Sequence, residues 1–201
     1  MSSFHRAVLA TAAVFALTAC AANSDVSDLA LPTESFGASA AAGDASGASA
    51  ATTLTVTDQS FLTQAAYGGL AEVATGQLAA ERAASPTVRD LGRRMVSEHD
   101  MVNRELMALA QAKGMSPPTA PDMGRQATAA ALGTLEGAEF DRQYLQQQLA
   151  EHAVAIALYD AQARGVGDPD VRAFAARWLP ALRDHERQIR AMAAPTAGLM
   201  R

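Results

Sequence analysis

Residues 85–113 read "SPTVRDLGRRMVSEHDMVNRELMALAQAK". Ser85 and Pro86 form an N-cap followed by a first-turn proline, the usual opening of a helix, and Gly114 lies just past its end. Val88, Leu91, Met95, Val102, Leu106 and Leu109 recur at helical spacing and share one face. His99 falls near the middle of that apolar face. The stretch is therefore expected to be a long amphipathic helix with a histidine turned into the core.

The same plan returns downstream. "DPDVRAFAARW" at 168–178 aligns with "SPTVRDLGRRM" at 85–95, an offset of 83. That offset also pairs Asp58 with Asp141, Leu62 with Leu145, Val73 with Ile156 and Ala80 with Ala163. Four long helices follow from these signals. The first is capped by Thr57 or Asp58 and runs to about residue 84. The second is the stretch quoted above. The third covers residues 138–164 and stops at Gly165. The fourth starts at Pro169, runs to about residue 193 and is expected to kink at Pro180. Between the second and third lie a proline-rich loop, "MSPPTAPDMG" at 115–124, and a short helical piece, "RQATAAALGTLEG" at 125–137. Two hairpins of one design predict an all-α four-helix bundle, read here in up-down-up-down order with both hairpin turns at the same end.

Composition agrees with this class. The chain of 201 residues is 49% hydrophobic but only 5% aromatic, so alanine-rich helix is favoured over sheet and one modest core is expected. The formal net charge is −5, and Lys113 is the only lysine. No basic patch is present, which excludes a nucleic-acid partner of the usual electrostatic kind. There is no nucleophile elbow, no phosphate-cradling glycine loop and no cysteine nucleophile, so nothing supports a hydrolase. The residues leave enzymatic activity open, with a non-enzymatic role the favoured reading.

The N-terminus, "MSSFHRAVLATAAVFALTAC", has Arg6 before an uncharged apolar run at 7–17, too short to span a bilayer. "LTAC" then places the single cysteine, Cys20, where it resembles the lipobox of bacterial lipoproteins. Residues 1–19 are accordingly expected to be a lipoprotein signal peptide and Cys20 the lipidated residue. Ala21, rather than aspartate, implies by resemblance to Gram-negative lipoproteins the outer membrane, facing the periplasm. Residues 20–56, rich in Ala, Ser and Gly, are expected to form a flexible linker. The helical domain is placed at 57–193 and a disordered tail at 194–201.

Apart from His5, the histidines are His99, His152 and His185. Each lies on the apolar stripe of a different helix. Glu72 lies near the edge of the first helix's apolar face. Measured from the hairpin turns, the four groups fall within a slab roughly 6 Å thick. Three imidazoles and a carboxylate at one level form a candidate site for a transition metal (Fe, Cu or Zn). The alternative is that the three rings are core histidines partnered by one another, Glu72, Gln148 or Tyr159. Met95, one turn before His99, is either a soft ligand or a core filler. Glu98, Glu151 and Asp184 are expected at the rim or facing solvent, with Glu98 the nearest to its core face. Asp141, about three turns from His152, is expected to favour its own helix N-terminus.

Taken together, "AEFDRQYLQQQLAEH", "DPDVRAFAARWLPALRDHERQI" and the paired Pro-x-Val-Arg helix starts resemble the bacterial family called domain of unknown function 4142, over about residues 57–193. The resemblance rests on Phe140-Asp141 with Tyr144, on His152, and on Pro180 with His185. It implies a ferritin-like bundle in a secreted or envelope protein, and it carries no activity. Di-iron ferritins use Glu-x-x-His, whereas Val96 and Leu182 stand three residues before His99 and His185. Two functions are expected from the sequence: a lipid-anchored metal-binding bundle, or a metal-free envelope interaction or stress-response module. Protein partners are unknown.

Overall fold

The computed structural model describes residues 53–194. Cys20, the expected signal peptide, nearly all of the expected linker and residues 195–201 of the expected tail lie outside the described residues. The described helices are α1 (Val56–Arg82), α2 (Pro86–Ala112), α3 (Met123–Leu132), α4 (Gly137–Arg164) and α5 (Pro169–Ala193). No strand occurs among the described residues, and no described helix is long and apolar enough to cross a membrane.

The helix starts follow capping chemistry. α1 begins one residue before its expected limit because Thr55, not Thr57 or Asp58, is the N-cap. Its hydroxyl accepts from Asp58 N while the Asp58 side chain reaches back to Thr55 N, a reciprocal capping box. Leu54, just before it, is buried in the core, so the packed body begins ahead of residue 57. α2 and α5 open on Ser85-Pro86 and Asp168-Pro169 as expected. α5 continues as helix through Pro180.

α1 pairs with α2 and α4 with α5, giving the two expected hairpins. Their relative direction differs from the expectation. Along α1 and α4, Phe61 packs on Tyr159 and Thr75 is bonded by Gln148, so the two helices run antiparallel. Along α2 and α5, Glu98 meets His185, Glu105 meets Trp178 and Lys113 meets Asp170, again antiparallel. The order of the four long helices is therefore up-down-down-up, with the hairpin turns at opposite ends. Residues 113–136, containing α3, carry the chain back along the bundle. The ten residues 113–122, fully stretched, and the 10-residue helix α3 could cover up to about 48 Å, enough to travel the length of a helix about 40 Å long. One long crossover is the ferritin-like arrangement.

The repeat is visible as mutual support. Asp58, at the start of α1, accepts from Asp168 N in the α4–α5 turn at 3.1 Å. Asp141, its counterpart in α4, accepts from Ala84 N and Ser85 N in the α1–α2 turn at 2.9 and 2.8 Å. Asp141 thus secures the other hairpin's turn rather than its own helix end. Each hairpin clamps the turn of the other, as a two-fold axis across the bundle requires.

Two apolar layers flank mid-bundle. One contains Phe61, Leu62, Leu106, Tyr159 and Phe174. The other contains Leu91, Met95, Phe140, Tyr144 and Ile189. Met95 is therefore a core filler. α1 and α2 approach closely at Gly76 and Gly92, where a Cβ on Gly92 would lie 2.6 Å from Gly76 O. The histidine level lies between the two layers.

Candidate metal centre

Each long helix contributes one group: Glu72 from α1, His99 from α2, His152 from α4 and His185 from α5, all buried. The structure brings together all four residues expected from the sequence. Ring centroids are 5.7 Å apart for His99 and His152, 5.4 Å for His99 and His185, and 5.3 Å for His152 and His185. One nitrogen from each imidazole can be chosen so that all three lie within 4.8 Å of one another. The flipped hairpin leaves the common level intact because all four residues sit near mid-helix.

The hydrogen-bond partners fix the ring tautomers. His152 Nδ1 lies 3.0 Å from the Gln148 carbonyl oxygen, which can only accept, so Nδ1 carries the hydrogen. His185 Nε2 lies 2.5 Å from Glu98 Oε2. Burial works to raise the Glu98 pKa, but hydrogen bonds from Arg94 and His185 hold the carboxyl below its ordinary value. Glu98 is thus an acceptor, and His185 Nε2 carries the hydrogen. The remaining nitrogens, His152 Nε2 and His185 Nδ1, face each other at 3.2 Å. With both rings neutral, two lone pairs point at one place. A proton between them would make an imidazolium, yet burial pushes the His185 pKa down to about 4 despite its bond to Glu98.

Glu72 completes the cluster. Its Oε2 is 2.7 Å from His99 Nε2 and its Oε1 is 3.2 Å from His152 Nδ1. Neither His99 Nε2 nor Glu72 Oε1 makes an aligned hydrogen bond. Burial works to raise the Glu72 pKa, and positive charge on the facing His99 and His152 works to lower it, to about 2 when those rings are protonated. Beside neutral imidazoles that pull is absent, and a bound cation would take its place.

Glu98, expected at the rim and nearest its core face, is half-buried there: one oxygen turns inward to His185 while the other accepts from Arg94 Nε at 2.6 Å. Its bond to His185 is the contact that sequence reasoning missed. Arg94 also reaches Asp184 at 3.2 Å and contacts Gln188, tying α2 to α5. Glu151 is partly buried and binds Arg125 at the start of α3, at 3.1 Å. Gln148, considered as a partner, serves His152 through its backbone carbonyl. Its side chain donates to Thr75 Oγ1 at 3.1 Å.

The model of the family described as Domain of unknown function (DUF4142) matches residues 43–192. No curated protein matches the sequence. Among solved structures, a DUF305 fragment from Deinococcus radiodurans aligns with a TM-score of 0.62 at 21% identity, covering 70% of this chain and 97% of that one. A DUF305 protein from Streptomyces coelicolor aligns at 0.59 and 14% identity, covering 72% and 92%. A conserved hypothetical protein from Mycobacterium tuberculosis aligns at 0.54 and 14% identity, covering 72% and 97%. At these identities the likeness concerns the fold.

Proposed function

The chain belongs to the family described as Domain of unknown function (DUF4142), and from its buried cluster we propose that it binds one divalent transition-metal ion at mid-bundle. His152 Nε2, His185 Nδ1 and a nitrogen of His99 are the ligands, with the Glu72 carboxylate as the fourth. The observation that carries this reading is the facing pair of ring nitrogens at 3.2 Å, whose outer N–H groups are already committed to Gln148 O and Glu98. A metal-ligating histidine characteristically donates its second N–H to a carbonyl or carboxylate in this way.

The donor set suits borderline ions. Three imidazoles and one carboxylate accept Zn, Cu or Fe, with Cu(II) bound most tightly among them. A tetrahedral ion with bonds of about 2.1 Å spaces its nitrogens by about 3.4 Å. The closest pair, at 3.2 Å, meets that spacing, and a nitrogen of His99 lies within 4.8 Å of both. Reconstitution with Cu(II), Zn(II) or Fe(II) followed by elemental analysis is expected to find one ion per chain. A His99→Ala/His152→Ala/His185→Ala variant that retains its helical circular dichroism is expected to hold none. Absence of stoichiometric metal in the native protein, or full occupancy in the folded triple variant, overturns the proposal and leaves the histidines as core residues of a metal-free module.

The site is further proposed to work at the outer membrane, in the periplasm, on a lipid anchor at Cys20. This rests on the sequence "LTAC" after the apolar run at 7–17. Labelled palmitate is expected to be incorporated in cells, with the protein in the outer-membrane fraction, and Cys20→Ser is expected to abolish both. A native protein that takes up no label would exclude the anchor.

A further inference from the structure

The two-fold plan of the bundle offers a second position for every ligand. Adding or subtracting the offset of 83 pairs Glu72 with Ala155, His99 with Leu182, His152 with Gly69 and His185 with Val102. A symmetric bundle would carry two clusters. Here the second set is small or apolar, and its four members line one cavity of about 110 Å³. The cavity thus stands where the second cluster would, left open at the small Ala155, while the Asn103 side chain packs directly against Gly69. It reaches Glu72 and His99 on its inner wall but neither His152 nor His185. Arg125 and Glu151, bonded to each other, also line it.

We infer that this cavity gives the metal an open coordination position that accepts a small linear monoanion. The inference rests on the metal reading above. His152 and His185 are backed by Gln148 O and Glu98, so those sides of the ion are closed, whereas beside Glu72 and His99 the cavity opens toward Ala155. A divalent ion with neutral imidazoles and the Glu72 carboxylate retains one positive charge in an apolar setting, which a monoanion neutralises. A fourth ligand does not prevent approach, because such sites expand to five-coordinate. The chamber is smaller than the roughly 150 Å³ apolar cavity that admits benzene, so its occupant has only a few heavy atoms.

Sodium azide is the probe, with the full-length protein loaded with Cu(II) and its copper content measured first. The expected result is a saturable azide-to-copper charge-transfer band in the native protein. Benzoate, also a monoanion but too large, is expected to leave the copper spectrum unchanged. Ala155→Leu and Gly68→Leu fill the chamber; a Cβ on Gly68 meets nothing within 4 Å. Each is expected to keep one copper and to bind azide at least tenfold more weakly. Copper that ignores azide overturns the open position alone, as does equal binding of azide by both filled variants. Benzoate binding as strong as azide binding overturns it without recourse to variants. A native protein that holds no copper, zinc or iron removes the metal reading, and this inference with it.

Discussion

Asp58→Ala is expected to destabilise the domain by about 3–4 kcal/mol, and Asp141→Ala by about 1–2 kcal/mol, in equilibrium urea unfolding. Asp58 is fully buried. It accepts from Thr55 N at 2.9 Å, Thr55 Oγ1 at 2.7 Å, Gln162 Nε2 at 2.6 Å and Asp168 N at 3.1 Å. Alanine there removes the acceptor for the buried Gln162 amide and breaks both the α1 cap and the clamp on the α4–α5 turn. Burial works to raise the Asp58 pKa, but the bonds from Thr55, Asp168 and Gln162 hold it below 3.8. A carboxyl depressed in the folded state contributes its full stability above the unfolded value, and loses it as pH falls through the folded one. The cost of Asp58→Ala is therefore expected to shrink in acid below about pH 4. Asp141 makes two bonds, to the more exposed Ala84 and Ser85 amides, so its loss costs less. If Asp58→Ala cost under about 1 kcal/mol, or no more than Asp141→Ala, the mutual clamp would not be a main support of the fold.

The same pair of aspartates shows what the sequence could and could not reveal. The repeat marked Asp58 and Asp141 as equivalent, and local cap chemistry placed the helix starts to within a residue or two. An internal repeat does not say which way the second hairpin points, because the offset is the same in either orientation. The discriminating signal was the 113–136 connection, far longer than the turns after α1 and α4, and long enough to return along the bundle. Histidine direction was legible because it depends only on helical period. The position of Glu98 at the edge of the core face was legible too, about 100° around the helix from His99, but its partner His185 was not. The inward turn of Glu98 depends on how near α5 comes to α2, and Arg94 and His185 together set that approach. The cavity was legible only after the fact, since Gly69 and Ala155 read as ordinary helix residues until the two-fold identifies them as the images of His152 and Glu72.

Metal binding should be visible as stability, and Glu98 should control how much. At a free metal concentration a thousandfold above Kd, an ion that binds only the folded state adds about 4 kcal/mol. For a domain of this size that is a rise in Tm of roughly 12 °C over the chelator-treated protein. Glu98→Ala removes the acceptor that orients His185 Nε2–H, leaving its ring free to rotate or change tautomer. Loss of such an outer partner weakens metal binding by about 10- to 100-fold. At the same free metal, a 100-fold loss subtracts about 2.7 kcal/mol, so roughly two-thirds of the thermal shift should vanish. Glu98→Gln, whose amide oxygen still accepts from His185, should keep more of the shift than Glu98→Ala. His152→Ala removes a ligand and should abolish it. This ranking separates a metal centre from a core polar network. If Glu98 served only packing and the bond to Arg94, its variants would lower Tm equally with metal and with chelator, and the metal-dependent difference would stay at its native size.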